Sequence, residues 1–427
     1  MHLMRFFLCL VMCCLPALLR AEQCLVFGDS LTKEYEAEFP GLYPSNPAAW
    51  QARNWIEILH QHRTGWFDTG TWSTYPDPRL TGHRFNWAFP GATTSEIRSQ
   101  MTSGLSFLWI GTLNDQLRND VQRVVIFAGG NDADSYYADL YNGFAGPEVT
   151  NLTLANLEWL VDYVRNQNGT VPIVLVSVPH VGCTPQVQLG YPTDPVKTAR
   201  VTAAMDALNA SLAAFAQTRG IGFVPEVYEF TKALITEPFR IKGIEFYRAA
   251  DADARTRYLF SGDGFHPNTC AHTRIAQLVI EAFNAAYPGT HMEPLTDDYL
   301  VTQVLGLEPD IPFNEWLAAQ NLTGGYNDDA DGDGVPNLLE FALEGFSATQ
   351  GDAVNLPLPM FQNGALTLTW LPRPLFTEWG VLKARSSPDL ASWSDVPAGQ
   401  ITQNPDGSLT ATVPFSTHGF LRLQASP

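Results

Sequence analysis

Short apolar runs alternate with amphipathic helical patterns between Cys24 and Tyr287, and this alternation constrains the fold more than any other feature. Such runs are typical of parallel strands buried on both faces, with helices that return the chain to the same edge. The sequence therefore predicts an α/β fold of three layers, α/β/α, built on a parallel sheet. The predicted strands are Cys24–Phe27, Val124–Phe127, Ile173–Val178 and Ile221–Val224.

Three helices of this region are marked by their patterns. Leu157, Val161 and Val164 belong to one apolar stripe with helical spacing. A second stripe begins at Ile275, close to the end of the region. The span Lys197–Arg219 is rich in Ala and Leu and precedes Gly220, which is typical of a helix C-terminus.

A serine follows the first predicted strand, in the stretch Phe27-Gly28-Asp29-Ser30. A serine on a tight turn between a strand and a helix is exposed at the carboxyl edge of the sheet. The unpaired N–H groups of the helix then point toward an oxyanion formed there. Ser30 therefore suits a nucleophile, and equally suits a helix N-cap.

Three further blocks carry residues that support this chemistry. Gly91, within Asn86–Thr94, lies in a predicted loop where a bare backbone N–H approaches a ligand. Asn131 follows two glycines after another predicted strand, and by itself Asn131-Asp132 also suits a turn. Asp263 and His266 are three residues apart before a helical pattern, where they also suit helix capping.

The four blocks, in this order, resemble those of the GDSL-type serine esterases, the SGNH hydrolase superfamily, over roughly Gln23 to Tyr287. The resemblance implies that Ser30 is the nucleophile and that His266, oriented by Asp263, takes its proton. It also implies that the N–H groups of Ser30 and Gly91 and the amide of Asn131 hold the oxyanion. This chemistry requires no cofactor.

A second motif, Asp329–Glu340, satisfies the twelve-residue EF-hand loop pattern, with Gly334 at the sixth position. Pro336 at the eighth position departs from a paired EF-hand, so the segment looks more like the single calcium loops of dockerin or thrombospondin type 3 repeats. We expect a structural Ca²⁺ bound at about 10⁻⁴–10⁻³ M, with a solvated acidic turn as the alternative. The predicted metal ligands are Asp329, Asp331, Asp333, Val335, Asn337 and Glu340.

Alternating apolar residues follow from about Asn355 and predict strands. Leu366, Leu368 and Trp370 form one such set, and Leu409, Ala411 and Val413 form another. A small all-β, β-sandwich-like module is expected. It suits glycan binding, contact with a cell surface, or simple spacing of the enzyme.

The predicted organisation has four parts. Residues 1–21 have the charge and apolar pattern of a secretory signal, which predicts a secreted protein, extracellular or periplasmic. The 14-residue apolar run is too short for a standard membrane span, which needs about 20 residues. The boundaries are signal peptide 1–21, hydrolase domain 22–290, linker with the calcium loop 291–350, and β module 351–427.

Cysteine content and charge narrow the properties of the exported chain. Three cysteines remain after cleavage, and an odd count leaves at least one thiol unpaired. Cys183 and Cys270 are the expected disulfide, with Cys24 buried. The formal net charge of the full chain, −19, disfavours nucleic acid and anionic membranes as partners.

The predicted function is a secreted serine ester hydrolase of the GDSL esterase/lipase type. Its substrate is an ester, and a lipid, a small ester and an acetylated polysaccharide all remain open. Two alternatives stand beside it. One is a carbohydrate O-acetylesterase of the same fold, and the other is a non-catalytic, calcium-dependent glycan-binding or adhesion protein.

Overall fold

The computed structural model describes residues 21–38, 52–250, 257–414 and 419–427. The predicted signal peptide, apart from Ala21, lies outside the described residues. The chain divides into two compact units, which cut across the predicted domain boundaries. The described residues of Met1–Cys183, Val187–Lys232 and Arg274–Pro294 form the first unit, and those of Thr184–Gln186, Ala233–Thr273 and Leu295–Pro427 form the second.

The first unit is built on a five-stranded sheet with the order β4-β1-β5-β6-β7, in which all neighbouring strands are parallel. Every residue of β1, β5 and β6 is buried, as expected for strands covered on both faces. The strands of this unit are β1 Cys24–Gly28, β2 Trp72–Thr74, β3 Thr81–His83, β4 Asn86–Ala88, β5 Arg123–Phe127, β6 Ile173–Val176 and β7 Gly222–Val224. β2 and β3 form a separate antiparallel pair.

Helices connect these strands, and the predicted three-layer α/β fold is confirmed. The longest helix begins after Asp194, whose side chain caps it, and ends at Gly220, where φ is +60°. The helices are α1 Tyr35–Glu38, α2 Trp55–His62, α3 Thr94–Thr102, α4 Ile110–Asp115, α5 Gly130–Asn142, α6 Asn151–Gln167, α7 Pro185–Gly190, α8 Pro195–Arg219, α9 Glu226–Ala233 and α10 Thr269–Ala286. Short 3₁₀ or π turns cover 106–108, 116–120, 147–150 and 181–183.

The central sheet contains one strand that the sequence did not reveal. β4 covers Asn86–Ala88, at the start of the block read as a loop around Gly91. Three residues that include a buried Asn are too short to show strand periodicity, so the pairing with β1 decides the strand.

The second unit begins with a three-stranded sheet that the sequence did not predict. Its order is β10-β9-β8, and the strands are β8 Phe239–Ile241, β9 Ile244–Ala250 and β10 Tyr258–Phe260. Short helices follow: α11 Asp297–Tyr299, α12 Ile311–Ala318, α13 Asn337–Ala342 and α14 Pro374–Trp379, with π or 3₁₀ turns at 300–304, 353–355 and 398–400. Within the described ranges, no helix combines the length and apolar character needed to cross a bilayer.

Two small antiparallel sheets complete the second unit. They confirm the prediction of a small all-β region near the C-terminus. They have the orders β11-β12-β16-β15 and β14-β13-β17. The predicted alternating residues pair directly, Leu368 with Ala411 and Trp370 with Leu409, and their side chains join one apolar core. The strands are β11 Met360–Gln362, β12 Ala365–Trp370, β13 Val381–Ser387, β14 Ser394–Asp395, β15 Ile401–Gln403, β16 Leu409–Pro414 and β17 Phe420–Ser426.

Candidate active site

The register of the central sheet brings three of the four sequence blocks to one edge. Gly28, the last residue of β1, pairs with Ala88 of β4 on one side and with Phe127 of β5 on the other. Because the three strands are parallel and their last residues pair with one another, their carboxyl ends lie at the same level. β1 is also where the strand order reverses, the point at which ligands bind in open α/β sheets. Ser30, Gly91 and Asn131 follow these strand ends by two, three and four residues respectively.

Ser30 lies in a tight turn directly after β1. Asp29 closes the turn, because its Oδ1 accepts a hydrogen bond from the Leu31 N–H at 2.9 Å. A Cβ at Gly28 would lie 2.4 Å from the Phe127 carbonyl oxygen, so only glycine fits there. Helix α1 begins five residues after Ser30, so Ser30 is not its N-cap.

The exposure of Ser30 differs from the prediction. The sequence predicts an exposed serine at the sheet edge, whereas only 3% of Ser30 is exposed. The turn follows the middle strand of three, and the loop after β5 lies against it. A Cβ at Gly130 would lie 3.5 Å from Leu31.

The other two predicted oxyanion residues lie side by side. Gly91 has φ +72°, a backbone conformation that favours glycine. Asn131 lies in the first turn of α5, and its Nδ2 donates to the Ala92 carbonyl at 3.1 Å. Since an amide nitrogen carries two hydrogens, one remains for a ligand oxygen. The Asn131 amide therefore bonds to Ala92, the residue that follows Gly91.

Asp132 holds these two donors together, a role that the sequence did not reveal. Its Oδ2 accepts from the Thr94 N–H at 2.8 Å, and its Oδ1 accepts from the Thr94 hydroxyl at 2.6 Å. Oδ1 also accepts from the Thr153 hydroxyl at 3.1 Å. The buried carboxylate thus ties the start of α3, just after Gly91, to the start of α5, which carries Asn131.

Asn86 and Thr32 fix the Ser30 turn in a similar way. The Asn86 Nδ2 donates to the Thr32 carbonyl at 2.9 Å, which links β4 to the turn. The Thr32 hydroxyl donates to the Phe127 carbonyl at 3.2 Å, which links the turn to β5. Both residues are fully buried, so the ends of three strands are held by internal hydrogen bonds.

The second unit holds the predicted acid–base pair in the loop between β10 and α10. The His266 Nδ1 and the Asp263 Oδ2 are 2.5 Å apart. A ring that donates through Nδ1 carries its basic lone pair on Nε2, which is the arrangement that a general base needs. The residue directly before α10 is Asn268, whose Oδ1 accepts from the Thr269 N–H at 2.9 Å.

Asp263 is held as an anion by the donors around it. Burial raises its pKa, but hydrogen bonds from His266, the Ser261 hydroxyl and the Phe265 N–H together lower the pKa well below its ordinary value. The Ser261 and Phe265 bonds to Oδ1 measure 2.7 and 2.8 Å. A carboxylate that stays ionised orients the imidazole and stabilises the imidazolium when it forms.

The comparison with known families covers the part of the chain that carries these residues. Residues 26–274, more than half of the chain, match the model of the GDSL-like lipase/acylhydrolase family. The chain belongs to this family. All four blocks, from Ser30 to His266, lie inside the matched range, so the predicted resemblance is confirmed for this part of the chain.

Comparisons with individual proteins add little to the family assignment. One solved structure that is similar in part is a phospholipase A1 from Streptomyces albidoflavus NA297. It is 14% identical and covers 62% of this chain and 100% of its own, with a TM-score of 0.36. No curated protein matches this acylhydrolase in sequence.

Three cysteines lie among the described residues: Cys24, Cys183 and Cys270. All three are buried, and the expected Cys183–Cys270 disulfide is not formed. Burial raises the pKa of Cys270 to about 12, which disfavours the reactive thiolate. Its Sγ donates to the Tyr258 carbonyl at 3.0 Å.

Outside the range matched by the acylhydrolase family, the acidic loop folds around Asp329. Its Oδ1 accepts from the Gly332 N–H and its Oδ2 from the Gly334 N–H, both at 2.8 Å. Both glycines have positive φ, +77° and +94°, so the turn requires them. Among the predicted ligands, Asn337 braces the loop, because its Oδ1 accepts from the Ala330 N–H at 3.2 Å.

Several carboxylate oxygens of this loop lack donors. Glu340 is fully buried, and neither of its carboxylate oxygens has a hydrogen-bond partner among the described residues. The same holds for Asp331 Oδ2 and for Oδ1 of Asp352, a residue that the loop pattern does not include. Burial, and then repulsion from Asp331 and Asp333, raises the pKa of Glu340 to about 8.

These carboxylates form two groups that share Asp333. Within each group the ligand atoms lie within 4.8 Å of one another. A donor set made only of oxygen atoms fits a hard divalent cation such as Ca²⁺. The groups are Asp329, Asp331 and Asp333, and Asp333, Glu340 and Asp352.

Proposed function

We propose that this acylhydrolase cleaves carboxylic esters through an acyl-enzyme on Ser30, with His266 as general base and Asp263 as its orienting carboxylate. The observation that carries the proposal is the convergence of Ser30, Gly91 and Asn131 at one sheet edge, set by the register of three neighbouring strands. The family match and the local Asp263–His266 pair support it.

The proposed reaction has two halves. The Ser30 hydroxyl attacks the ester carbonyl while its proton passes to His266 Nε2, and the imidazolium returns that proton to the leaving alcohol. Water, activated by the same imidazole, then releases the acid from Ser30. The proposal requires the serine, in the first unit, to lie within hydrogen-bond reach of the histidine in the second.

The negative oxygen of each tetrahedral intermediate accepts three hydrogen bonds. The donors are the N–H groups of Ser30 and Gly91 and the second amide hydrogen of Asn131. Loss of one such donor typically raises the barrier by about 2.7–4 kcal/mol. Asp132 acts as a positioning residue, since it holds the Gly91 loop against α5.

The test is hydrolysis of nitrophenyl esters by wild type, Ser30→Ala and a matched Ser211→Ala control on the exposed face of α8. We expect Ser30→Ala to lose turnover and Ser211→Ala to keep it. A fluorophosphonate label should attach to the peptide that contains Ser30. Equal turnover by all three proteins would refute the mechanism.

The same assay narrows the substrate. A rate that rises with acyl length, from acetate to dodecanoate, identifies a lipase, whereas a preference for short chains identifies an esterase. Release of acetate from acetylated xylan, at a higher rate than from nitrophenyl acetate, identifies a carbohydrate O-acetylesterase.

The proposal includes export of the enzyme. The charged start and apolar run of residues 1–21 support it. Protein collected outside the cytoplasm should begin at Glu22 when its N-terminus is sequenced. Full-length protein retained in the cytoplasm would contradict export without touching the mechanism.

We also propose that the acidic loop holds a structural Ca²⁺. Asp329, Asp331, Asp333 and Glu340 supply carboxylates, and the Val335 carbonyl occupies the position of the backbone ligand. The buried Glu340 carboxylate, which lacks hydrogen-bond donors among the described residues, supports the proposal most strongly. A carboxylate that is ionised at such a buried position is paired or bound to metal, because its desolvation is otherwise uncompensated.

A further inference from the structure

A second segment of chain lies against the acidic loop. Asp333 Oδ1 accepts from the Val335 N–H within the loop, whereas its Oδ2 accepts from the Ala353 N–H at 2.6 Å. A Cβ at Gly351 would lie 3.6 Å from the Asp333 Cβ. The turn formed by residues 347–353 is therefore in direct contact with the loop.

The carboxylate of this turn is only half satisfied. Asp352 Oδ2 accepts from the Ser347 N–H at 3.1 Å, and its Oδ1 is buried with no hydrogen-bond partner among the described residues. Ligand atoms of Asp333, Glu340 and Asp352 lie within 4.8 Å of one another. The oxygen without a donor belongs to the same acidic group as the two buried oxygens of Glu340.

The arrangement is unfavourable without a cation. Like charges at this spacing repel, and burial weakens the screening by water. Ion pairs of the same unit form at other carboxylates, between Arg373 and Glu344 at 3.8 Å and between Lys383 and Asp395 at 2.6 Å. A bound divalent cation supplies both the missing charge and the missing partner.

We propose that Asp352 is a cation ligand from outside the twelve-residue loop, and that Ca²⁺ shared by Asp333, Glu340 and Asp352 fastens the turn 347–353 to α13. This inference rests on the proposed calcium site and extends it. The ion then joins two segments of chain, where a loop closed on itself would order only one.

The turn leads directly into the C-terminal strands, so the ion stabilises more than its own loop. Ala348 is fully buried in an apolar cluster with Phe341, Phe376 and Trp379. The Ser347 hydroxyl donates to Gln320 Oε1 at 2.6 Å. Because a cation that binds only this folded arrangement stabilises it by mass action, Ca²⁺ protects the turn as well as the loop.

The test is calorimetric titration of the full chain with Ca²⁺. The proteins are wild type, Asp352→Asn, Asp329→Asn as a marker of the loop, and Glu378→Gln as a control carboxylate exposed on α14. Even partners outside the coordination shell typically change metal affinity by about 10–100-fold, so Asp352→Asn should weaken binding by at least about tenfold. The asparagine introduced by Asp352→Asn keeps an acceptor for the Ser347 N–H, and Glu378→Gln should bind as wild type.

Limited proteolysis gives a second readout that does not depend on affinity. Ca²⁺ should slow cleavage within 347–353 in wild type and in Glu378→Gln, and leave Asp352→Asn unprotected. Matching near-ultraviolet circular dichroism in chelator shows that Asp352→Asn is folded.

The outcomes separate the inference from the proposal beneath it. Wild-type affinity and protection in Asp352→Asn, combined with loss of binding in Asp329→Asn, would overturn the role of Asp352 and leave the calcium loop intact. A wild-type chain that binds no Ca²⁺ would overturn both.

Discussion

Two carboxylate-bearing regions of the second unit have opposite environments. In the loop before α10, Asp263 accepts hydrogen bonds on both oxygens, from the Ser261 hydroxyl, two N–H groups and His266. In the acidic cluster, the Glu340 carboxylate has no donor among the described residues. The pKa of Asp263 is accordingly lowered and that of Glu340 is raised to about 8.

The difference indicates a different role for the carboxylates in each region. Asp263 keeps its negative charge with protein groups alone, so it is ready to hold an imidazolium. The acidic cluster brings carboxylates together without protein groups that would neutralise them, which supports the proposed ion. Loss of charge in the first region should therefore affect catalysis, and in the second it should affect stability.

The largest expected effect is on catalysis, at Asp263. Asp263→Asn should lower kcat by about four orders of magnitude, because the asparagine favours the wrong imidazole tautomer. Steady-state hydrolysis of a nitrophenyl ester measures it. Asp389→Asn is the matched control. Asp389 also accepts hydrogen bonds from backbone N–H groups, but these bonds do not include a histidine. If kcat of folded Asp263→Asn fell by less than tenfold, the catalytic role of Asp263 would be refuted.

Calcium removal tests the role of the acidic cluster. Transfer from Ca²⁺ at 100 times Kd to chelator should lower the free energy of unfolding by about 2.7 kcal/mol. Urea unfolding, followed by tryptophan fluorescence, measures it, and the buried Trp379 lies in the same unit as the loop. The kcat per folded molecule should not change. A fall in kcat while the protein stays fully folded would place the ion in the catalytic machinery.

Glu340→Gln should have an effect that depends on the medium. In calcium at pH 7, a tenfold loss of affinity lowers the free energy of unfolding by about 1.4 kcal/mol. In chelator at pH 7, the variant should be at least as stable as wild type, since the carboxyl, with a pKa of about 8, is already mostly protonated. Paired unfolding curves with Glu378→Gln as control measure both. Equal destabilisation in the two media would indicate a packing role for Glu340.

The smallest effect is the pH dependence of stability at Asp263. Its folded pKa lies below the unfolded value of 3.8, so its stabilisation is complete above that pH and is lost as the pH falls further. The difference in unfolding free energy between wild type and Asp263→Asn should shrink below pH 4. The slope should stay under about 1.4 kcal/mol per pH unit, because a single carboxyl exchanges at most one proton between the folded and unfolded states. A constant difference down to pH 3 would show that the donors do not hold the charge.

Much of the fold was predictable from the sequence, because its buried strands are continuous apolar runs. Four strands of the central sheet and the helix Pro195–Arg219 lie close to the predicted positions. Strand β4 was missed, since three residues with an Asn carry no recognisable period. The strand character of the two alternating segments in β12 and β16 followed from their pattern, although their pairing and register required the structure.

The candidate sites divide in the same way. The sequence by itself determined the Asp263–His266 pair and the tight turn at Gly334, because both depend on residues a few positions apart. Only the tertiary structure decided the grouping of Ser30 with Gly91 and Asn131, the buried link through Asp132, and the position of Asp352. Those contacts join distant segments, and the strand register and packing that create them are not encoded in any short stretch of residues.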